Sequence, residues 1–180
     1  MFYHYKLEAK LKVNSTRFGK LEVKEKDVLT FPEGLVGFSS CKRFFIYNKE
    51  KSLPFFWLQS VEDPKLAFVI CDPLIFFPDY KVTARKAELS IIEAEDIAGL
   101  IICVIISINH NPFRMTANLQ GPLVINTNNR KGKQLVLVEG SYNTRHTIPI
   151  KKESLEMPKG LFIPSEKRVE IGAVNSLVLT

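Results

Sequence analysis

Seven consecutive apolar residues, Leu100-Ile101-Ile102-Cys103-Val104-Ile105-Ile106, constrain the fold of this chain more than any other stretch. The run is far shorter than the ~20 residues a helix needs to cross a bilayer. It is rich in β-branched side chains and apolar at every position, which reads as a central strand. Around it the chain is built from short segments with a period of two. In residues 6–13, Leu7, Ala9, Leu11 and Val13 alternate with Lys6, Glu8, Lys10 and Lys12, so one face is buried. Leu21 and Val23 continue the rule after Gly19. Residues 28–31 read as a strand stopped by Pro32, and 33–38 as a turn in which Gly34 and Gly37 free the backbone.

Further strands are predicted at 43–47, 55–59, 66–71 and 81–83. Residues 123–126 and 134–138 read as a hairpin joined through 127–133, where Asn128, Asn129 and Gly132 are turn formers. Only residues 84–96 depart from this pattern. They are rich in Ala, Glu, Lys and Ile, with Leu89, Ile92 and Ile97 near helical spacing, which predicts one or two short helices ending near Gly99. About ten short strands at close spacing predict an all-β, compact single-domain fold, β-barrel-like or a sandwich, with the helical segment covering an open end or edge. The expected domain spans 1–150. Residues 151–180 read as a C-terminal extension, interrupted by Pro158, Gly160 and Pro164, with room for short strands at 160–163 and 168–174.

Composition narrows the function classes. With 46% hydrophobic and 24% charged residues, the chain is a folded protein and not a disordered one. The net charge of +6 invites a nucleic-acid reading. However, acidic residues interleave with basic ones, as in Lys20-Leu21-Glu22-Val23-Lys24-Glu25-Lys26-Asp27, which describes a solvated surface. The densest basic cluster, Arg130-Lys131-Gly132-Lys133, reads as a solvated hairpin tip, the alternative being a contact with RNA phosphate or an acidic protein.

Cys41, Cys71 and Cys103 form no C-x-x-C pair, and their apolar neighbours predict buried, reduced thiols in a cytoplasmic protein. Residues 1–12 carry no apolar stretch of signal-peptide type. His4, His110 and His146 lack ligand spacing, and neither a phosphate-binding glycine loop nor a G-x-S-x-G elbow is present. Asp63 and Asp72 precede prolines and Asp79 follows one, which is turn chemistry rather than a carboxylate pair. No enzymatic activity, metal or cofactor is expected. The oddest local feature is Phe76-Phe77-Pro78-Asp79-Tyr80, with three aromatics in five residues. A loop this apolar is either buried under the fold or a binding surface for an apolar segment of a partner.

Several segments, in order, resemble the FliW family of flagellar assembly factors. They are Thr16-Arg17-Phe18-Gly19, Phe31-Pro32-Glu33-Gly34-Leu35-Val36-Gly37-Phe38, Pro54-Phe55-Phe56-Trp57-Leu58-Gln59-Ser60, Asp63-Pro64, Leu66-Ala67-Phe68-Val69, Asp72-Pro73 and the aromatic loop. Met115-Thr116-Ala117-Asn118-Leu119, Gly121-Pro122-Leu123-Val124-Ile125-Asn126, Arg130-Lys131-Gly132-Lys133-Gln134 and Tyr142-Asn143-Thr144-Arg145-His146 complete the series, so the resemblance covers 15–150. Val36 stands where the family usually has Pro, Thr147-Ile148 separate His146 from Pro149, and the tail after 150 is longer than is typical.

The resemblance implies a β-barrel-like domain that binds flagellin in the cytoplasm and also binds CsrA, the RNA-binding repressor of flagellin translation. Flagellin and CsrA would compete, so that export of flagellin frees the protein to capture CsrA. No direct contact with nucleic acid or membrane is implied. The expected partner-binding residues are an exposed part of Phe76, Phe77, Asp79 and Tyr80, with Asn118 and Arg145 as polar anchors. Trp57, Phe68 and Leu119 are expected in the core. The alternative is a direct RNA-binding β-barrel using its basic surface, whose affinity would fall steeply with salt.

Overall fold

The computed structural model of the protein describes residues 9–48, 54–138 and 140–149, together with the backbone of 169–170 and 176–179. In chain order its strands are β1 (Lys10–Ser15), β2 (Gly19–Lys24), β3 (Val28–Thr30), β4 (Arg43–Tyr47), β5 (Phe56–Ser60), β6 (Ala67–Cys71) and β7 (Val82–Arg85). After α1 (Lys86–Ser90), the one α-helix among the described residues, come β8 (Leu100–His110), β9 (Phe113–Ala117), β10 (Leu123–Asn126), β11 (Lys131–Gln134) and β12 (His146–Thr147). Two last strands, β13 (Val169–Glu170) and β14 (Ser176–Leu179), pair with each other, and β14 pairs with β7.

The main sheet runs β10-β11-β3-β4-β5-β6-β8 and closes because β10 also pairs with β8, giving a seven-stranded barrel. Every pairing is antiparallel except the seam between β11 and β3, a parallel contact at Lys131↔Thr30. There the Thr30 N–H donates to the Arg130 carbonyl at 2.8 Å. The all-β barrel expected from the spacing of short strands is the fold observed.

The apolar run forms β8, and its two faces serve two cores. Ile101 and Cys103 face the barrel interior with Phe31, Phe44, Leu58, Ile70, Leu123 and Ile125. Leu100, Val104 and Ile106 face outward, into a cluster with Tyr80, Val82, Leu89, Ile92, Met115, Ala117 and Ile148. That double burial is why the run carries no polar residue. A third, smaller cluster seats the β1–β2 hairpin, with Val13 and Val23 on Val28 and Phe45.

Three local readings are corrected by the structure. The helical stretch expected at 84–96 shrinks to five residues, because Ala84 and Arg85 end β7 and the segment after α1 turns back on itself. What remains of the helical spacing is Leu89 and Ile92, both buried against the outer face of the barrel. The hairpin connection is also shorter than 127–133. Asn126 and Asn129 accept side-chain hydrogen bonds from the N–H groups of Asn128 and Lys131, and Arg130 takes φ +62°, so the turn ends at 130 and 131–134 is strand. Beyond β11, Leu135 and Leu137 still donate to the carbonyls of Pro122 and Gln120 at 2.9 and 2.8 Å. Finally, β9 was not anticipated. It pairs with the far half of β8, from Ile106↔Ala117 to His110↔Phe113. The expected strand residues 6–8 and 160–163 lie outside the described residues, and of 168–174 only the short strand β13 is described.

Cys41, Cys71 and Cys103 are buried free thiols. Among the described residues no helix is long and apolar enough to cross a membrane.

The barrel seam depends on Gly132. A Cβ placed there would lie 2.5 Å from the ring of Phe31, which is fully buried and packed edge-on to Phe44 at 5.5 Å. To admit the methyl group this buried ring would have to shift within the core, so Gly132→Ala should destabilise the protein by about 1–3 kcal/mol. Urea denaturation checks this, and an unchanged midpoint would show that Phe31 can move aside.

Candidate partner-binding surface

The aromatic loop is built on Asp72. Its carboxylate accepts the Leu74 N–H at 2.9 Å and caps the 3-10 turn Pro73–Ile75. Burial pushes the Asp72 carboxyl above its ordinary value, and the Leu74 hydrogen bond opposes this. Phe76 and Phe77 both donate their N–H groups back to Pro73, and Tyr80 donates to Phe77, so the loop is a compact coil rather than an extended strap. Phe76 stacks on Phe55 at 5.8 Å, and Phe77 meets the His146 ring edge-on at 5.2 Å. His146 Nδ1 is buried without a hydrogen-bond partner among the described residues, so that ring is held by packing.

Tyr80 departs from the expectation of an exposed aromatic. It is 2% exposed, and its hydroxyl donates to the Leu119 carbonyl at 2.7 Å. Its ring lies 4.7 Å from that of Tyr142, whose hydroxyl accepts the Lys81 N–H. The sequence pattern could not separate the aromatic that anchors the loop from those that edge its surface. Phe76 and Phe77 are half-buried, and Asp79 is exposed beside Pro78. Asn118 is half-buried and accepts the Gly121 N–H at 2.9 Å, which places it in the turn leading to β10. Arg145 is exposed, on a turn where its N–H donates to the Asn143 side chain. Of the residues expected in the core, Leu119 is buried, whereas Trp57 and Phe68 are half-buried. The Arg17 guanidinium covers the Trp57 ring at 4.4 Å, and Phe38 packs edge-on to Phe68 at 5.3 Å.

The basic cluster is engaged locally. Lys131 pairs with Glu93 and Lys133 with Glu33, and the Lys133 side chain is only 13% exposed. The hydrogen bond from Lys131 holds the Glu93 carboxyl below its ordinary value. Burial also pushes up the Cys71 thiol, and it raises the Cys103 thiol to about 12, with the Asp72 charge adding to it. Both therefore stay protonated and poorly nucleophilic. Among the described residues no group of His, Cys, Asp and Glu is arranged to hold a metal ion.

A second surface was not foreseen. β8 runs four residues past Ile106, its last partner on β6, and stays paired with β9. On one face of this ribbon Ser107 opposes Thr116 and Asn109 opposes Arg114. With Ile108 and Arg145 these residues line a groove of about 360 Å³. Phe113, opposite His110 and 61% exposed, belongs to the other face. The signal was the alternation of Ser107 and Asn109 with Ile106 and Ile108, but without β9 it had no facing strand.

The Tyr80 hydroxyl tests the anchoring of the aromatic loop. Tyr80→Phe should cost about 1–2 kcal/mol at neutral pH, because it leaves the Leu119 carbonyl unsatisfied. Burial, with a smaller effect of Tyr142, raises the folded-state pKa of Tyr80 above the ordinary 10.0. Its stabilising contribution is thus complete below pH 10 and declines as pH rises from there towards the folded value. Chemical denaturation of the wild type and Tyr80→Phe should show a stability gap that narrows above pH 10.

Residues 12–148 match the family described as FliW protein. The flagellar assembly factor FliW of Natranaerobius thermophilus is 39% identical over 139 residues, covering 77% of this chain and 92% of that one. That of Alkaliphilus metalliredigens is 42% identical over 137 residues, covering 76% and 85%. A crystal structure of the flagellar assembly factor FliW superposes with a TM-score of 0.69 at 34% identity, over 76% of this chain and 96% of that one. The match extends from the middle of β1 to the residue after β12 and so includes the barrel and both candidate surfaces. This chain therefore belongs to the FliW family of flagellar assembly factors.

Proposed function

We propose that this protein binds flagellin in the cytoplasm and antagonises the translational regulator CsrA, relieving repression of flagellin translation. It acts by exchanging partners and catalyses no reaction. The observation that carries this reading is the family match across residues 12–148. The chemistry of the described residues is in keeping with it, since the raised Cys71, Cys103 and Tyr80 groups owe their shifts first to burial in the core. Phe76, Phe77, Asp79 and Arg145 supply contact surface, while Tyr80 and Asn118 fix the backbone beneath them. A net charge of +6 favours encounter with acidic protein surfaces. Direct RNA binding draws less support, because Lys131 and Lys133 are already paired with Glu93 and Glu33.

A switch of this kind needs two mutually exclusive complexes of comparable strength, so that occupancy follows partner concentration. Calorimetric titration with flagellin, with CsrA, and with each in the presence of the other tests the reading. Both should bind, and saturating flagellin should abolish the heat of CsrA binding. Binding of flagellin alone would remove the translational arm from the proposal. A folded sample that binds neither would overturn it.

A further inference from the structure

We propose that the groove between the β8–β9 ribbon and Arg145 holds an acidic segment of a partner protein, with its carboxylates on Arg114 and Arg145. The first support is charge accounting. Lys10, Arg43, Lys131 and Lys133 each have a carboxylate partner, in Glu22, Glu25 with Glu62, Glu93 and Glu33. Among the described residues, Arg114 and Arg145 have none, which is equally true of Lys12, Lys20 and Lys65, so what sets the two arginines apart is where they lie. Both line the same groove, and no acidic side chain lines it with them. Two cations left uncompensated in one concavity form a local positive potential that an external anion can neutralise.

The second support is chemical. Ser107, Asn109 and Thr116 complete the lining with neutral hydrogen-bonding groups, and each guanidinium offers a planar fork that matches a carboxylate. The groove also sits on paired backbone. Asn109↔Arg114 and Ser107↔Thr116 are cross-strand partners, and Thr116 is in turn opposite Thr147 on β12. A segment docking here meets preformed geometry, which lowers the ordering cost of binding.

The same features favour a protein over a nucleic acid. The lining contains no aromatic ring on which a base could stack, and Phe113 lies on the opposite face of the ribbon. Two cations also release few counterions, whereas nucleic-acid affinity is built from many phosphate contacts. The inference relies on the proposed function only for which partner brings the acidic segment.

The test combines a probe independent of that identity with the partners themselves. A short poly-glutamate peptide is titrated into the labelled full chain and followed by NMR, beside Arg114→Gln, Arg145→Gln and the double variant. Backbone signals of Ser107, Asn109, Arg114 and Thr116 should shift, and the double variant should bind about tenfold or more weakly with an unchanged unfolding midpoint. No shift at the groove, equal binding by the double variant, or tighter binding of a short poly-uridine RNA at the same signals would each overturn the inference. In calorimetry, whichever of flagellin and CsrA the wild type binds should lose about tenfold affinity with Arg114→Gln and show a weaker salt dependence. Unchanged affinity for both would overturn the inference while leaving the proposed function standing. If the wild type bound neither, the proposed function would fall, and the peptide titration would still decide the groove.

Discussion

The structure depends on a single strand that is dry on both faces. β8 closes the barrel through β10, gives the interior Ile101 and Cys103, and gives the outer core Leu100, Val104 and Ile106. Each fully buried side chain of this kind contributes about 1.5–3 kcal/mol, so β8 holds two cores together at once. This arrangement has a cost in specificity. A strand with one polar face resists slipping by one residue, because the slip would bury charge and expose hydrocarbon. Residues 100–106 have no such penalty, since both faces are apolar. What pins the register lies at the ends and across the seam. Ser107 and Asn109 begin the polar alternation immediately beyond the barrel, and Phe31 fits only against the bare backbone of Gly132.

The outer core explains why the chain carries so many aromatics outside the barrel. The segment from Asp72 to Gly99 covers the outward face of β6 and β8 with Tyr80, Val82, Leu89 and Ile92, and it does so with little regular helix. It uses a capped 3-10 turn, one short strand and five residues of helix. The Tyr80 hydroxyl on the Leu119 carbonyl then ties this cover to the turn that carries Asn118.

How much of this the sequence discloses follows from the range of the forces involved. The strands at 43–47, 55–59 and 66–71 are legible because alternation and proline boundaries are local, and their ends fall within a residue of those observed. The helical reading of 84–96 fails because Leu89 and Ile92 satisfy helical spacing equally well in a single turn followed by a reversal. The 134–138 boundary fails because Asn126 and Asn129 close the turn with their own side chains, which pulls Lys131 and Gly132 into the strand. β9 is hidden by its polar members, Arg114 and Thr116, which make sense only once they face Asn109 and Ser107. The groove could not be read for the same reason. It is a product of register between strands and of where the turn at Arg145 falls, neither of which is local information.

The two candidate surfaces are not independent pieces of the molecule. Phe77 of the aromatic loop rests on His146, Tyr80 rests on Tyr142, and Arg145 of the groove lies between those two contacts in sequence. His146 in turn pairs with Ala117 on β9, the strand that carries Arg114. The loop therefore packs against the same short segment that carries Arg145. Arg114 sits within the regular β8–β9 pairing, opposite Asn109. The pair thus joins one cation fixed by the sheet to one cation positioned by the cover of the outer core.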